Sequence, residues 1–201
     1  MIASVTGGIN FDPSIAYFSM EIGMEWELPT YSGGLGILAG DTLKSCADLE
    51  LPVVGVSLLY SQGYFRQEID AQGMQAEKPE EWNPEKKLRL LSPKIILREI
   101  EGRDIQVQAW LYFYKGRTGH GIPVIFLDTN LEGNLPEDRQ LTSSLYAGDE
   151  AFRLKQEILL GIGGVKYLRA LGFHQLHTFH MNEGHSALLT LELLRENQRT
   201  V

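Results

Sequence analysis

A glycine-rich turn that opens an amphipathic helix constrains this chain more than any other part of its sequence. The turn occupies residues 29–36 (PTYSGGLG), and apolar residues then recur at helical spacing from Leu35 to Ala47. A helix that begins at glycines leaves backbone N–H groups unpaired at the positive end of its dipole and lets a ligand approach closely. The turn therefore predicts a site for a phosphate or another anion. The alternative is a plain tight turn between a strand and a helix.

Apolar runs on both sides of this helix predict strands. Residues 15–20 and 53–60 are continuous apolar stretches, the pattern of parallel strands covered on both faces. Together with the helix they form a βαβ unit. Further predicted elements are a hairpin with arms at 94–101 and 104–114, strands at 122–128 and 176–181, and helices at 150–171 and 185–197. The predicted fold class is α/β, a Rossmann-like domain with an inserted β-hairpin.

Two stretches predict loops, and one helix carries an unusual number of glycines. Residues 72–85 are rich in Pro and Glu, and residues 131–149 are rich in turn-forming residues, with a short helical turn expected near 138–145. Gly161, Gly163 and Gly164 interrupt the predicted helix 150–171, where each costs about 1 kcal/mol relative to Ala. Because a helix glycine admits a close neighbour, we expect this helix to pack tightly against the sheet.

Composition excludes several classes of protein. A net charge of −8 argues against nucleic-acid binding, because phosphate backbones recruit basic surfaces. The single cysteine, Cys46, permits no internal disulfide and is predicted to be a buried, inert thiol. Residues 1–10 lack the features of a signal peptide, and no segment approaches the roughly 20 apolar residues of a membrane span. We expect a soluble, cytoplasmic protein with no nucleic-acid or membrane partner.

A second polar group, MNEGHSA at residues 181–187, follows the last predicted strand. Here Asn182 is a candidate cap for the next helix, Gly184 permits a tight turn, and His185 lies in the first helical turn. The carboxyl ends of parallel strands meet at one edge of a sheet, where ligands bind. We therefore expect His185 and the glycine turn at the same edge. The alternative for His185 is a purely local hydrogen-bonding role.

Other polar residues predict neither a metal centre nor a nucleophile. His174, His177 and His180 are spaced three apart, whereas residues on one face of a strand are spaced two apart. The sequence contains no nucleophile elbow of the G-x-S-x-G type and no Walker loop. Taken alone, the charged stretch 153–157 is typical of a solvated helix surface.

Five motifs in order resemble the α-glucan phosphorylases of the short bacterial type. They are AYFSME (16–21), YSGGLG (31–36), LYSQGYF (59–65), RLKQE (153–157) and NEGHSAL (182–188). The resemblance implies the two-lobed GT-B fold. It also implies phosphorolysis of the terminal α-1,4 bond of glycogen, starch or maltodextrin by inorganic phosphate, which yields glucose 1-phosphate with retained configuration.

The same resemblance implies roles for particular residues. The glycine loop would direct backbone N–H groups toward phosphates, His185 would contact a hydroxyl of the glucose at the cleavage point, and residues 146–149 would form a mobile gate on the substrate side. Gln156 and Glu157 would be structural. The implied substrate- and phosphate-binding residues are Gly33, Gly34, Leu35, Tyr146, Gly148, Asp149 and His185.

One departure from the family pattern concerns the cofactor. The family binds pyridoxal phosphate as a Schiff base to a lysine of the second lobe, and the cofactor's phosphate assists proton transfer to the substrate phosphate. No lysine of this chain lies in that motif. We therefore expect residues 1–201 to form an incomplete N-terminal lobe that carries no catalytic residue and is inactive alone. Its expected partners are an α-glucan, inorganic phosphate and a complementary C-terminal lobe in cis or in trans.

Two other classes of function stay open. A glycogen or starch synthase shares the fold and a K-x-G-G-L-G loop, but the lysine position is Tyr31 here, and a dependence on nucleotide sugars would reveal it. A non-catalytic glucan-binding or assembly fragment would retain glucan without any dependence on phosphate.

Overall fold

A mixed β-sheet forms the centre of the chain. The structure, a computed structural model, describes residues 11–78 and 82–198. Within these residues the strands in chain order are β1 (Ile15–Phe18), β2 (Val53–Leu58), β3 (Arg66–Ile69), β4 (Gln75–Lys78), β5 (Arg89–Leu90), β6 (Ile95–Leu97), β7 (Ile105–Lys115), β8 (Gly121–Asp128) and β9 (Thr178–Met181). The sheet order is β5-β7-β8-β2-β1-β9, with β6 also beside β7, while β3 and β4 pair separately.

Four neighbouring strands, β8, β2, β1 and β9, run parallel. Ile15 of β1 pairs with Val53 of β2 on one side and with Thr178 of β9 on the other, so the predicted parallel βαβ unit is confirmed. The chain leaves β1 toward β2 and later returns on the opposite side of β1 as β9. Strand order therefore reverses at β1, and in α/β sheets ligands bind in the crevice at the carboxyl ends of the strands beside such a reversal, here β1 and β9.

Helices cover both faces of the sheet, as an α/β fold requires. Helix α1 (Gly34–Asp48) packs Ala39, Leu43 and Ala47 against the face that carries Tyr17. Ala16 and Phe18, the neighbours of Tyr17 along β1, point to the opposite face because side chains alternate along a strand. Further helical segments are α2 (Pro136–Arg139), α3 (Glu150–Ile158), a π-helical segment (Leu159–Gly163), α4 (Gly164–Ala170) and α5 (Leu189–Gln198).

The glycine-rich helix packs tightly, as the sequence predicts. A Cβ at Gly164 would lie 2.6 Å from a ring carbon of Phe18, and a Cβ at Gly161 would lie 2.6 Å from the backbone N of Leu189. These glycines let the helix approach β1 on one side and α5 on the other. The sequence pattern did not predict the π-helical segment, which carries Gly161 and Gly163.

Several element predictions are confirmed and two need correction. The hairpin at 94–114 forms, with Ile95 opposite Val107, and a helical turn lies within 131–149. The predicted loop 72–85 is wrong in part, because it contains β4, and residues 79–81 lie outside the described residues. Most side chains of β3 and β4 are exposed, so no apolar alternation marks them. The last helix begins at Leu189 rather than at 185, because a 3₁₀ turn (Gly184–Ser186) precedes it.

The remaining sequence expectations concern solvent and membrane. Cys46 lies in α1 and is partly rather than fully buried, packed against the core on that side of the sheet. Burial raises the pKa of its thiol. No helix in the described residues has both the length and the apolar character needed to cross a membrane. Residues 1–10, for which no signal peptide is expected, lie outside the described part of the chain.

Candidate functional site

A buried carboxylate, Glu21, lies beyond the carboxyl end of β1, on the edge of the sheet where β1 and β9 end. Glu21 lies three residues after the end of β1, and only 2% of its surface is exposed. One carboxylate oxygen, Oε2, accepts hydrogen bonds from the backbone N–H groups of Ser32 (2.6 Å) and Gly33 (3.2 Å). Two backbone N–H groups before α1 are therefore occupied by a side chain of the same protein, and the predicted binding of a phosphate or another anion ligand at this turn stays a prediction.

The next backbone N–H groups of the turn are open. Gly33 is the N-cap of α1, so Gly34 and Leu35 occupy the first two helical positions, whose N–H groups have no partner within a helix. The described residues provide no hydrogen-bond acceptor for either of them. A Cβ at Gly34 would meet no atom within 4 Å. These two N–H groups are therefore without an acceptor among the described residues, whereas the Gly33 N–H is bonded to Glu21.

Tyr146 connects the turn to the loop before α3. Its hydroxyl donates to the second oxygen of Glu21, Oε1, at 2.6 Å across 125 residues of sequence. Burial, reinforced by this hydrogen bond, raises the pKa of Tyr146 well above its ordinary value, so the hydroxyl stays protonated and donates. The guanidinium of Arg153 lies 5.8 Å from the centre of the ring, a cation–π distance.

His185 completes the group from the side of β9. Its ring centre lies 6.2 Å from that of Tyr146, and its Nδ1 is buried without a hydrogen-bond partner among the described residues. Most buried polar atoms are hydrogen-bonded, so an unpaired one at the carboxyl edge of a sheet is a natural ligand contact. The residue before the turn, Glu183, has a left-handed φ of 66°, a strained conformation of the kind that clusters at functional sites.

Asn182 links the loops after β1 and β9 rather than capping a helix. Its amide Nδ2 donates to Ser19 Oγ at 3.1 Å, and that hydroxyl donates to the backbone carbonyl of Glu21 at 2.7 Å. The 3₁₀ turn that follows has no side-chain cap. The predicted capping role of Asn182 is therefore wrong, and the residue instead joins the two sides of the crevice.

Two further predicted site residues lie apart from this group. Asp149 Oδ1 accepts the N–H of Phe152 at 2.9 Å, so its carboxylate caps α3. Gly148 is exposed, with a left-handed φ of 75° and its backbone pressed against Phe152. Within the described residues neither of them contacts Glu21 or His185. Any role as a gate would have to follow from movement of the segment.

Buried polar groups hold the segment that leads to Tyr146. Gln156 Nε2 donates to the backbone carbonyls of Leu141 (2.9 Å) and Ser144 (3.2 Å), which confirms its predicted structural role. Asp128, at the end of β8, accepts the hydroxyl of Thr142 at 3.1 Å. The segment is thereby anchored to the carboxyl end of a parallel strand.

The residues of this site suit the phosphate group of pyridoxal phosphate but not its attachment to a lysine. The open N–H groups of Gly34 and Leu35 suit a phosphate group. A Schiff base needs a free lysine, and no lysine in the described part of the chain hydrogen-bonds to the glycine turn or forms an ion pair there. Five of the eight described lysines instead form ion pairs elsewhere: Lys44 with Asp41, Lys78 with Glu68, Lys87 with Glu27, Lys155 with Glu101, and Lys166 with Glu99. The described residues also contain no cluster of three His, Cys, Asp or Glu suited to a metal ion.

Sequence reasoning missed Glu21 and Ser19 as site residues. A usable signal was present, because Ser19 directly follows β1 and Glu21 comes two residues later, at the edge where parallel strands end. A carboxylate in that position is either solvated or bound to donors, and here the donors come from distant segments.

Comparison with known proteins agrees with the motifs. A family model described as carbohydrate phosphorylase matches residues 21–99, which include Glu21 and the glycine turn. The glycogen phosphorylase of Mycobacterium tuberculosis is 43% identical over 192 residues, which cover 90% of this chain and 22% of the relative. Over most of its length the chain is therefore similar to part of a glycogen phosphorylase.

Two further phosphorylases match a similar extent of the chain. The maltodextrin phosphorylase of Thermococcus litoralis is 42% identical over 90% of this chain and 22% of its own length. The glycogen phosphorylase of Aquifex aeolicus is 38% identical over 88% of this chain and 26% of its own length. The chain therefore spans about a quarter or less of these phosphorylases.

Proposed function

We propose that this chain supplies one half of the active site of an α-1,4-glucan phosphorylase with the two-lobed GT-B fold. The observation that carries the proposal is the Tyr146 hydroxyl bonded to Glu21. Through Glu21 the predicted gate segment is linked by hydrogen bonds to the glycine turn. The Tyr146 ring also lies next to the His185 ring. Three segments that the family resemblance marks separately thus converge at one crevice, in a chain 43% identical to a glycogen phosphorylase.

Each group has a chemical task in this proposal. The imidazole of His185, whose buried Nδ1 has no partner among the described residues, forms a hydrogen bond with a hydroxyl of the terminal glucose. The N–H groups of Gly34 and Leu35 stabilise phosphate oxygens at the positive end of α1. Glu21 keeps the neighbouring N–H groups of Ser32 and Gly33 in place and orients Tyr146. Pyridoxal phosphate, when bound, supplies a phosphate that assists proton transfer to the substrate phosphate.

The proposed active site needs a lysine for pyridoxal phosphate, two substrates and a second lobe. The lysine that holds pyridoxal phosphate would come from a complementary C-terminal lobe, in cis or in trans, with inorganic phosphate and an α-glucan as substrates. We place the protein in the cytoplasm, which is consistent with its single, unpaired cysteine. Residues 146–149 would act as the gate through the Tyr146–Glu21 contact.

A chimaera tests this function directly. The 192-residue matching segment of the Mycobacterium tuberculosis glycogen phosphorylase is replaced by the corresponding part of this chain, and release of glucose 1-phosphate from maltoheptaose and phosphate is measured. We expect phosphorolysis by the chimaera and none by residues 1–201 alone. A chimaera that folds and binds pyridoxal phosphate but transfers glucose only from ADP-glucose would instead indicate a synthase-like lobe. Glucan retention without any turnover would indicate a binding fragment.

A further inference from the structure

An aromatic cleft lies beside the glycine turn and has no role in the site described above. It has a volume of about 340 Å³, and the residues that line it include Trp26, Tyr31, Ser32, Tyr64, Phe65 and Arg66. Two of these, Tyr31 and Ser32, belong to the glycine turn itself, so the cleft borders the turn. The Tyr64 and Phe65 rings lie 4.2 Å apart and are tilted by 34°, which gives one wall two adjoining aromatic surfaces.

Trp26 lies between two residues whose side chains have partners, while its own side chain remains in solvent. The side chain is 83% exposed, although both of its neighbours are anchored. Glu25 accepts the Tyr112 hydroxyl at 2.6 Å, and Glu27 forms an ion pair with Lys87. A large aromatic ring gains more free energy from burial than most side chains do, so an anchored turn that leaves one exposed suggests a surface for a ligand.

The opposite wall is fixed to the same framework. Gly63, directly before Tyr64, has a left-handed φ of 64°, and a Cβ there would lie 2.9 Å from Pro29. The carbonyl of Gly63 accepts the N–H of Leu145 at 3.0 Å, next to Tyr146. A ligand in the cleft would therefore meet a preorganised surface that is connected to the Tyr146 segment by a backbone hydrogen bond, and preorganisation lowers the entropy cost of binding.

The chemistry of the lining selects a neutral, hydroxyl-rich ligand. The lining offers one cation, and Glu68 already neutralises it through a 2.5 Å contact with Arg66, so the cleft does not favour a phosphate. Aromatic faces are electron-rich and attract the polarised C–H groups on the flat side of a sugar ring. The Ser32 hydroxyl and the Arg66 guanidinium can bond sugar hydroxyls at the rim.

We propose that Trp26 and the Tyr64–Phe65 pair form an accessory subsite for an α-1,4-glucan chain, next to the subsite of His185. This inference rests on the proposed function, since it specifies where the glucan extends beyond the reacting glucose. Stacking on Trp26 increases affinity for chains of several glucose units and adds little for maltose.

Calorimetric titration of the 201-residue chain with maltoheptaose tests the subsite without requiring catalysis. We expect binding in the millimolar range or tighter, and an increase in Kd of about tenfold in Trp26→Ala. Trp26→Phe, which keeps an aromatic face, should restore most of the affinity. Met74→Ala, which removes another exposed apolar side chain, should leave Kd unchanged. Because Trp26 is exposed, its removal should not unfold the chain.

The outcomes separate this inference from the proposed function. Loss of maltoheptaose binding in Trp26→Ala but not in His185→Ala supports the accessory subsite even if the chimaera is inactive. Equal binding by wild type and Trp26→Ala, or no binding at about 10 mM maltoheptaose, overturns it. A Trp26→Ala variant that changes the oligomeric state in sedimentation without affecting glucan binding also overturns it, and assigns the cleft to a protein partner.

Discussion

Substitution of Tyr146 by Phe should weaken the link between the gate segment and the glycine turn. The change removes one hydroxyl and leaves the ring, so Arg153 and His185 keep their aromatic neighbour. Glu21 loses the hydrogen bond to Oε1 at 2.6 Å, and a nearly buried carboxylate oxygen is left without a donor. Hydrogen bonds to charged groups contribute about 1.5–3 kcal/mol, and because Tyr146 is only half-buried, water recovers part of this. We expect a loss of about 1–2 kcal/mol in the free energy of unfolding.

Urea denaturation measures this loss, and hydrogen exchange localises it. The amide protons of Ser32 and Gly33 donate to the same carboxylate, so both should exchange faster in Tyr146→Phe although they lie far away in sequence. Ser144→Ala is the matched control, because its hydroxyl makes an exposed contact with Gln62 at 3.2 Å in the same segment. It should cost less than about 0.5 kcal/mol. Unchanged stability and unchanged Ser32 exchange in Tyr146→Phe would refute the role of Glu21 as a bridge.

Further predictions concern a cap, a packing contact and the tyrosines. Asp149→Ala should lower the free energy of unfolding by about 1 kcal/mol through loss of the α3 cap, as urea denaturation can show. Gly164→Ala should destabilise the chain by about 1–3 kcal/mol through a clash with Phe18, whereas Gly163→Ala, whose nearest neighbour would lie 3.3 Å away, should not. Burial raises the pKa of several tyrosine phenols in the folded chain. The protonated phenols therefore contribute fully to the free energy of unfolding below about pH 10, the ordinary tyrosine pKa, and this contribution declines as the pH rises above it. In a pH titration of the folded chain, phenolate absorbance should therefore appear only above the ordinary tyrosine pKa for Tyr17, Tyr60, Tyr112, Tyr146 and Tyr167. Ionisation of all tyrosines near the ordinary pKa, with the chain still folded, would contradict this.

Strands with strong apolar runs could be predicted from sequence, and exposed ones could not. Residues 53–58 form a buried strand because every side chain there is apolar or small. A short apolar run of this kind is compatible with few structures other than a buried strand. The β3–β4 hairpin is closed instead by Asp70, whose carboxylate accepts the N–H groups of Gln72 and Met74. Local turn chemistry of this kind leaves no hydrophobic period to read.

The site was predictable in outline for a topological reason. Parallel strands bring the glycine turn and His185 to one edge whatever their distance in sequence, so their convergence follows from the βαβ pattern. The hydrogen bond between Glu21 and Tyr146 did not follow from the βαβ pattern. Glu21 and Tyr146 are 125 residues apart, and no local pattern tells a carboxylate which distant hydroxyl will reach it. The partner of Asn182 was missed for the same reason.

The central claim is that His185 contacts the glucan in a phosphorylase site, and phosphorolysis by the chimaera carrying His185→Ala tests it most directly. His174→Ala is the matched control, because His174 is exposed and outside the crevice. Our account predicts that kcat/KM for maltoheptaose falls at least about tenfold in His185→Ala, as expected for a lost substrate hydrogen bond, and is unchanged in His174→Ala. A chimaera in which His185→Ala phosphorolyses maltoheptaose as fast as the unsubstituted protein would contradict the account.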